Sequence, residues 1–237
     1  MSETAPGPDR DAARRPLSRD LVLRSAVALA DQSGIDAVSM RRLGQELGVE
    51  AMSLYHHVHR KDDLLGGMVE TVVAEINLAV GALRGPDPAA DWRAALRARV
   101  LTARGLMLQH TWLPGVLESR TTVSPGVIRY YEGVLATLRA GGFSYDLAHH
   151  ALHALGSRVL GFSQELFDPS TPAEDAASQA ALAELATELP HLVEMLAEVA
   201  HDDPGSTLGW CDDQTEFEFG LDVVLDGLER RRSAAPA

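Results

Sequence analysis

Residues 39–58 read Ser-Met-Arg-Arg-Leu-Gly-Gln-Glu-Leu-Gly-Val-Glu-Ala-Met-Ser-Leu-Tyr-His-His-Val, and the fold turns on this stretch. Met40 to Leu47 has the spacing of a short helix behind a capping serine, Ser39. Gly48 can take the left-handed backbone that ends that helix and reverses the chain. A second short helix is predicted from about Glu50 to His57. Leu43, Leu47, Val49 and Leu54 supply a small shared core, and Gly44 carries no side chain where the two helices must cross closely. Two short helices about a tight turn are the geometry of a helix-turn-helix, whose second helix enters the DNA major groove.

Working outward, the pattern is helical almost throughout. Upstream, Leu21, Val22, Ser25, Ala28 and Leu29 share one face of a helix begun by Ser18 and stopped by Gly34. Downstream, a longer helix starts near Lys61 with Leu64, Leu65, Met68, Val69, Val72, Val73 and Ile76 as its apolar stripe. Asp62 and Asp63 sit in its first turn, where the helix dipole favours acids. Gly85-Pro86-Asp87-Pro88 breaks that helix and marks a domain boundary. Further helices are predicted near 89–109, 112–119, 125–140, 144–167, 173–200 (interrupted at Pro190) and 212–231. No stretch alternates convincingly as a strand, so the expected fold is all-α.

Composition first argues against nucleic acid. The chain has 237 residues and a formal net charge of −13, and an acidic protein repels a polyanion. The charge is segregated, however: residues 10–61 carry nine Lys/Arg against six Asp/Glu, whereas 62–237 carry 12 against 26. The single cysteine, Cys211, excludes an intrachain disulfide framework and a cysteine-based zinc finger. No run approaches the roughly 18–20 consecutive apolar residues of a membrane span, and Met1–Pro16 lacks the apolar core of a signal peptide. A cytoplasmic protein with no membrane partner is expected, its first 16 residues forming a flexible arm.

From Leu17 to about Met68 the sequence resembles the tetracycline-repressor (TetR) family of transcriptional regulators. The match is carried by Ala26, Leu29, Gly34, Ser39, Arg41, Leu43, Gly44, Leu47, Gly48, Val49, Leu54, Tyr55, His57, Val58, Lys61 and Leu64. The second half, from Asp91-Trp92 through Gly141-Gly-Phe-Ser144 to the run Phe217–Leu228, is similar to the C-terminal domain of tetracycline-repressor-like members. The resemblance implies a three-helix DNA-binding domain over 17–62 and a connecting helix over 63–84. An effector-binding and dimerisation bundle follows over 85–232, with a tail over 233–237. It further implies a homodimer, through the helices near 144–167 and 212–231, that binds a double-stranded, palindromic operator and is released by a small-molecule effector.

The chemistry of the individual residues supports this division of labour. Arg41 can present its fork of donors to a guanine edge or a phosphate. Ser39 caps its helix and is placed to touch a phosphate, and Tyr55, His57 and Lys61 resemble family phosphate contacts. Glu50, Ala51, Met52, Ser53 and His56 form the expected base-reading face. The family's founding pattern has Gln and Pro at the positions of Ala51 and Met52. Bidentate adenine reading is therefore lost there, and apolar contact with thymine methyl groups becomes available.

In the second half, Phe217, Leu221, Val224, Leu225 and Leu228 form one apolar stripe, either a subunit interface or internal packing. Gly156 and Gly161 would permit close helix approach. Candidate effector contacts are Asn77, Arg104, Met107, Glu118, Tyr131, Leu135, His149, Leu152 and Glu165. Resemblance places Glu165 on a metal-coordinating glutamate of the tetracycline repressor, but the companion histidine position holds Glu118. That departure puts magnesium–tetracycline recognition in question. His149, His150 and His153 share a helical face, yet three histidines on one helix do not readily converge on one ion, so no metal and no cofactor are expected. No catalytic triad, phosphate loop or dinucleotide fingerprint is present, so the chain is not read as an enzyme. Two alternatives remain: a helical small-molecule or protein-binding module with a vestigial DNA head, and an all-α enzyme using the histidines.

Overall fold

The computed structural model describes residues 16–120, 122–160, 190, 191, 194 and 213–234. Every regular element among them is helical. The order is α1 (Arg19–Ser33), a 3-10 turn (Ile35–Ala37), α2 (Met40–Leu47), α3 (Ala51–Leu54), α4 (Lys61–Gly81), α5 (Trp92–Met107), α6 (Leu113–Ser119), α7 (Pro125–Ala140), α8 (Tyr145–Leu160) and α9 (Asp213–Ala234). The helix expected at 173–200 and residues 161–167 of the one before it lie outside the described residues, apart from 190, 191 and 194. Cys211 and the first 15 residues lie outside them as well.

The chain divides into two compact units. One contains the residues up to Leu83 and Leu101–Glu132; the other contains Arg84–Val100 and the residues from Gly133 onward. The division runs through α5 and α7, so each of these helices serves both units.

In the first unit, local signals set the helix ends. The Ser18 hydroxyl accepts the Leu21 N–H at 3.2 Å, and Gly34, at φ 80°, donates its N–H to the Ala30 carbonyl. The apolar faces of α1 and α4 then pack together, with Val22, Ala26, Leu64, Met68 and Val72 at 1% exposure or less. A Cβ on Gly67 would lie 2.5 Å from a Leu23 methyl, so the bare α-carbon of Gly67 lets α1 and α4 approach. By length and composition α4, at 21 residues, is long and apolar enough for a membrane span. Most of its apolar side chains, from Leu64 to Val80, are instead taken up by the core that α4 shares with α1 and α6, and Leu78 alone of the large ones is exposed.

In the second unit, Trp92 packs edge-on against Phe143 with ring centroids 4.6 Å apart. Gly141 lies against Trp92 where a Cβ would stand 2.4 Å from the Trp92 Cβ. Leu96, Leu138, Phe217, Leu221 and Leu225 are fully buried. The stripe read from the last helix is thus largely spent inside its own unit. The outward face of α9 carries Phe219 and Val223, which are 68% and 53% exposed.

Candidate nucleic-acid interface

Ser39 begins α2 in extended backbone, and its hydroxyl accepts the Arg42 N–H at 3.3 Å. Gly48 closes the helix in the left-handed region at φ 65°. Its N–H bonds to the Gln45 carbonyl at 3.2 Å, and the Val49 N–H bonds to the Gly44 carbonyl at 2.9 Å. This paired arrangement satisfies the last carbonyls and turns the chain back. Gly44 matters for a neighbouring reason: a Cβ there would lie 2.9 Å from the Val49 carbonyl oxygen and 3.2 Å from the Ala51 nitrogen. The close approach is therefore between α2 and the backbone of the turn and of the start of α3.

The second helix is shorter than its periodicity predicts. α3 covers Ala51–Leu54, and beyond it the Tyr55 N–H bonds back to Met52, while the His57 and Val58 N–H groups share the Leu54 carbonyl. The tightening brings Val58 into the core at 0% exposure, beside Leu43 and Leu54. Leu47 and Val49 pack against that core partly buried. The complementary face carries the candidate contacts: Ser39, Arg41, Glu50, Met52, Tyr55, His56 and Lys61 are exposed, and Ala51, Ser53 and His57 half-buried. Met52, on this face, is 70% exposed. Arg41 and Lys61 make no side-chain hydrogen bond or ion pair among the described residues.

Several supporting contacts escape the sequence. Arg19, at the start of α1, donates Nη1–H to the His57 carbonyl at 2.6 Å and pairs both Nη atoms with the two Asp63 oxygens at 3.2 and 2.6 Å. The Arg19 guanidinium, joined by the His59 N–H at 2.9 Å, holds the Asp63 carboxyl down at about 2. A cation in the first turn of a helix opposes the helix dipole, and that misplacement is the one cue in the sequence that Arg19 has a partner. From the α5–α6 connection, Trp112 Nε1–H donates to Asp31 Oδ1 at 2.6 Å, and His110 Nδ1 lies 2.8 Å from the same oxygen. Arg120, just after α6, bonds to the carboxylate and the carbonyl of Asp62 at 3.0 and 3.2 Å. The first turn of α4, which carries Lys61, is therefore tied both to α1 and to the end of α6.

The candidate effector contacts do not gather in one unit. Asn77, Arg104, Met107, Glu118 and Tyr131 belong to the first; Leu135, His149 and Leu152 belong to the second. Glu165 lies outside the described residues. Arg104 is buried, Met107 half-buried, and Asn77 donates its side-chain amide to the Gly126 carbonyl at 2.9 Å. Glu118, Tyr131 and His149 are exposed, and Leu135 and Leu152 half-buried. His149 and His153 stack edge to face on the exposed side of α8 with centroids 4.6 Å apart. Among the described residues no group of three or more His, Cys, Asp or Glu is arranged to hold a metal ion.

A short helix behind a glycine turn, flanked by exposed cations among described residues whose regular elements are all helical, defines a helix-turn-helix regulator. Comparison with known proteins makes the class specific. Residues 22–68 match the family model of bacterial regulatory proteins of the tetR family, and residues 85–232 match that of the tetracyclin repressor-like C-terminal domain. An HTH-type transcriptional regulator of Saccharopolyspora erythraea is 32% identical, over 96% of this chain and 93% of its own. The HTH-type transcriptional repressor DrrR1 of Streptomyces coeruleorubidus is 31% identical, over 95% and 87%. In structure the chain is similar to apo ActR of Streptomyces coelicolor, with a TM-score of 0.71 at 28% identity over 94% of this chain and 99% of that one. ActR has also been solved in complex with actinorhodin. The chain belongs to the TetR family. It is a DNA-binding transcriptional repressor responsive to small-molecule ligands, and it acts by binding rather than by catalysis.

Proposed function

We propose that this protein acts in the cytoplasm as a homodimer on a palindromic operator and releases it when an effector occupies the C-terminal bundle. The observation that carries the reading is the free face of the head. Arg41 and Lys61 are exposed cations with no partner among the described residues, and they flank the exposed Glu50, Met52, Tyr55 and His56. In this reading Arg41 meets a guanine edge or a phosphate, and Ser39, Tyr55, His57 and Lys61 meet phosphates. Glu50, Ala51, Met52, Ser53 and His56 face the bases.

A dimer follows from affinity: one four-residue helix buries little, whereas two heads read half-sites one DNA turn apart. α8 and α9 are the pairing helices. Phe219 and Val223, one turn apart and exposed, fit a partner's surface better than the buried stripe does. At Gly156 a Cβ would meet nothing within 4 Å among the described residues. The effector is a molecule with polar and aromatic parts. Burial of the cation Arg104 supports this, as does the similarity to ActR, solved with actinorhodin. Such a ligand shifts the equilibrium only through its differential affinity for the two head spacings.

A competitive gel-shift assay at moderate salt tests the proposal. The protein should retain its own upstream DNA over scrambled DNA of equal length. Equal competition by the two would overturn operator recognition, and ligand binding without DNA retention at low salt would favour a vestigial head.

A further inference from the structure

Arg19 lies 38 residues before His57 and 44 before Asp63, yet it touches both. One nitrogen closes on the carbonyl that ends the recognition segment, and the fork grips the carboxylate in the first turn of α4. Asp63 in turn accepts the His59 N–H, so the link from recognition helix to α4 is pinned at both ends. The candidate phosphate contacts Tyr55, His57 and Lys61 all lie on or beside this pinned segment. A bidentate guanidinium–carboxylate pair fixes orientation as well as distance. Arg19 therefore differs from Arg41 and Lys61: its donors are already committed.

The geometry points to the Arg19–Asp63 pair as the positioning device of the DNA head. It sets the recognition segment against the start of α4 so that Tyr55, His57 and Lys61 meet the phosphates together, and neither residue need touch DNA. The inference rests on the DNA-binding reading and makes a prediction of unusual sign. Asp63 is a negative charge next to a DNA-binding face, so simple electrostatics says that removing it should tighten binding. Positioning says the reverse. Asp63→Asn keeps an oxygen for the His59 N–H and loses the charged fork.

Operator affinity is measured for full-length wild type, Asp63→Asn, Arg19→Gln, the double variant, and Glu46→Gln as a control. Glu46 is an exposed acid on α2 with no partner among the described residues. Asp63→Asn should weaken operator binding about tenfold, the order expected for a lost charge-assisted pair, while Glu46→Gln binds as well as wild type or better. The double variant should bind no worse than Arg19→Gln alone, because the two residues act as one unit. Thermal unfolding of each variant shows whether it is folded, and Arg19→Lys, which keeps the charge but not the fork, should lie between wild type and Arg19→Gln. Tighter binding by folded Asp63→Asn, or additive losses in the double variant, would overturn the positioning role. Wild type that fails to bind the operator would overturn the DNA-binding reading instead. If Arg19→Gln does not fold, the opposed signs of Asp63→Asn and Glu46→Gln still decide.

Discussion

The two units of the molecule use their charged side chains differently. On the head, Arg41, Arg60 and Lys61 stand exposed with no partner among the described residues. In the second unit, Arg97 on α5 pairs with Glu218 and Asp222 on α9 at 2.5 and 3.0 Å, and Arg93 pairs with Asp226. Glu229 accepts from Trp92 Nε1 at 2.9 Å and from Arg232 at 2.7 Å. The second unit thus spends Arg93, Arg97 and Arg232 on its own carboxylates and leaves Arg84, Arg230 and Arg231 exposed, whereas on the head the unspent cations flank the candidate DNA contacts. The average of −13 describes neither unit.

The contrast can be broken in three places, taken from the largest expected effect to the smallest. Gly44→Val should destabilise the head by about 1–3 kcal/mol, because the new side chain meets turn backbone that has no room to yield. Loss of operator binding with a lowered melting temperature is the expected result; unchanged DNA binding would show that the turn can relax. Next come the unpaired cations. Lys61→Ala should cost roughly tenfold in affinity for operator and scrambled DNA alike and lower the salt slope by about one. Arg41→Ala should also narrow the gap between the two DNAs. Neither change should shift the melting temperature.

The smallest effect belongs to the paired body. Arg97→Ala should leave DNA affinity unchanged and cost under about 1 kcal/mol of stability, since its partners remain a third exposed. Acid sharpens the same point. The Arg232 guanidinium beside Glu229 holds that carboxyl at about 2, as Arg19 does for Asp63. Both lie below their ordinary values of 4.5 and 3.8. A depressed carboxyl contributes its full stability above the ordinary value and loses it as pH falls through the depressed one. Melting temperature should therefore be insensitive to these pairs above about pH 5 and fall between about pH 4 and 2. Asp63→Asn and Glu229→Gln should each flatten that acid limb.

What could be read from the sequence was local. Ser18, Gly34, Ser39 and Gly48 cap or close their helices through bonds to residues three or four away, so residue type and spacing announce them. The apolar stripe of α4 announced its burial in the same way. Contacts across long separations were not legible: Arg19 with Asp63, Asp31 with Trp112 81 residues on, and Trp92 with Glu229 137 residues on. Apart from Arg19, whose place in a helix first turn is a cue, each residue of these pairs reads alone as an ordinary surface charge or core aromatic. The early end of α3 was hidden too, because Tyr55 and His57 keep helical spacing while their N–H groups adopt tighter bonds. On α9 the sequence displayed the stronger stripe, which packs inward, and Phe219 and Val223 sat unnoticed among the charges between.

The core of the first unit has a consequence for how the protein could be taken apart. Trp112, Leu113 and Val116 from α6 and the segment before it belong to the same buried cluster as Leu29, Ala30 and Val69. A fragment ending at the Gly85–Pro88 break would keep every candidate DNA contact and lose those three side chains, along with both donors to Asp31. Its α1 and α4 would then offer bare apolar surface to water, an invitation to aggregate. In hydrogen exchange on the intact chain, α1, α4 and α6 should open as one cooperative block. The rigidity of the candidate recognition helix is thus borrowed: its four residues are ordered by a core whose far wall comes from the stretch that matches the C-terminal domain.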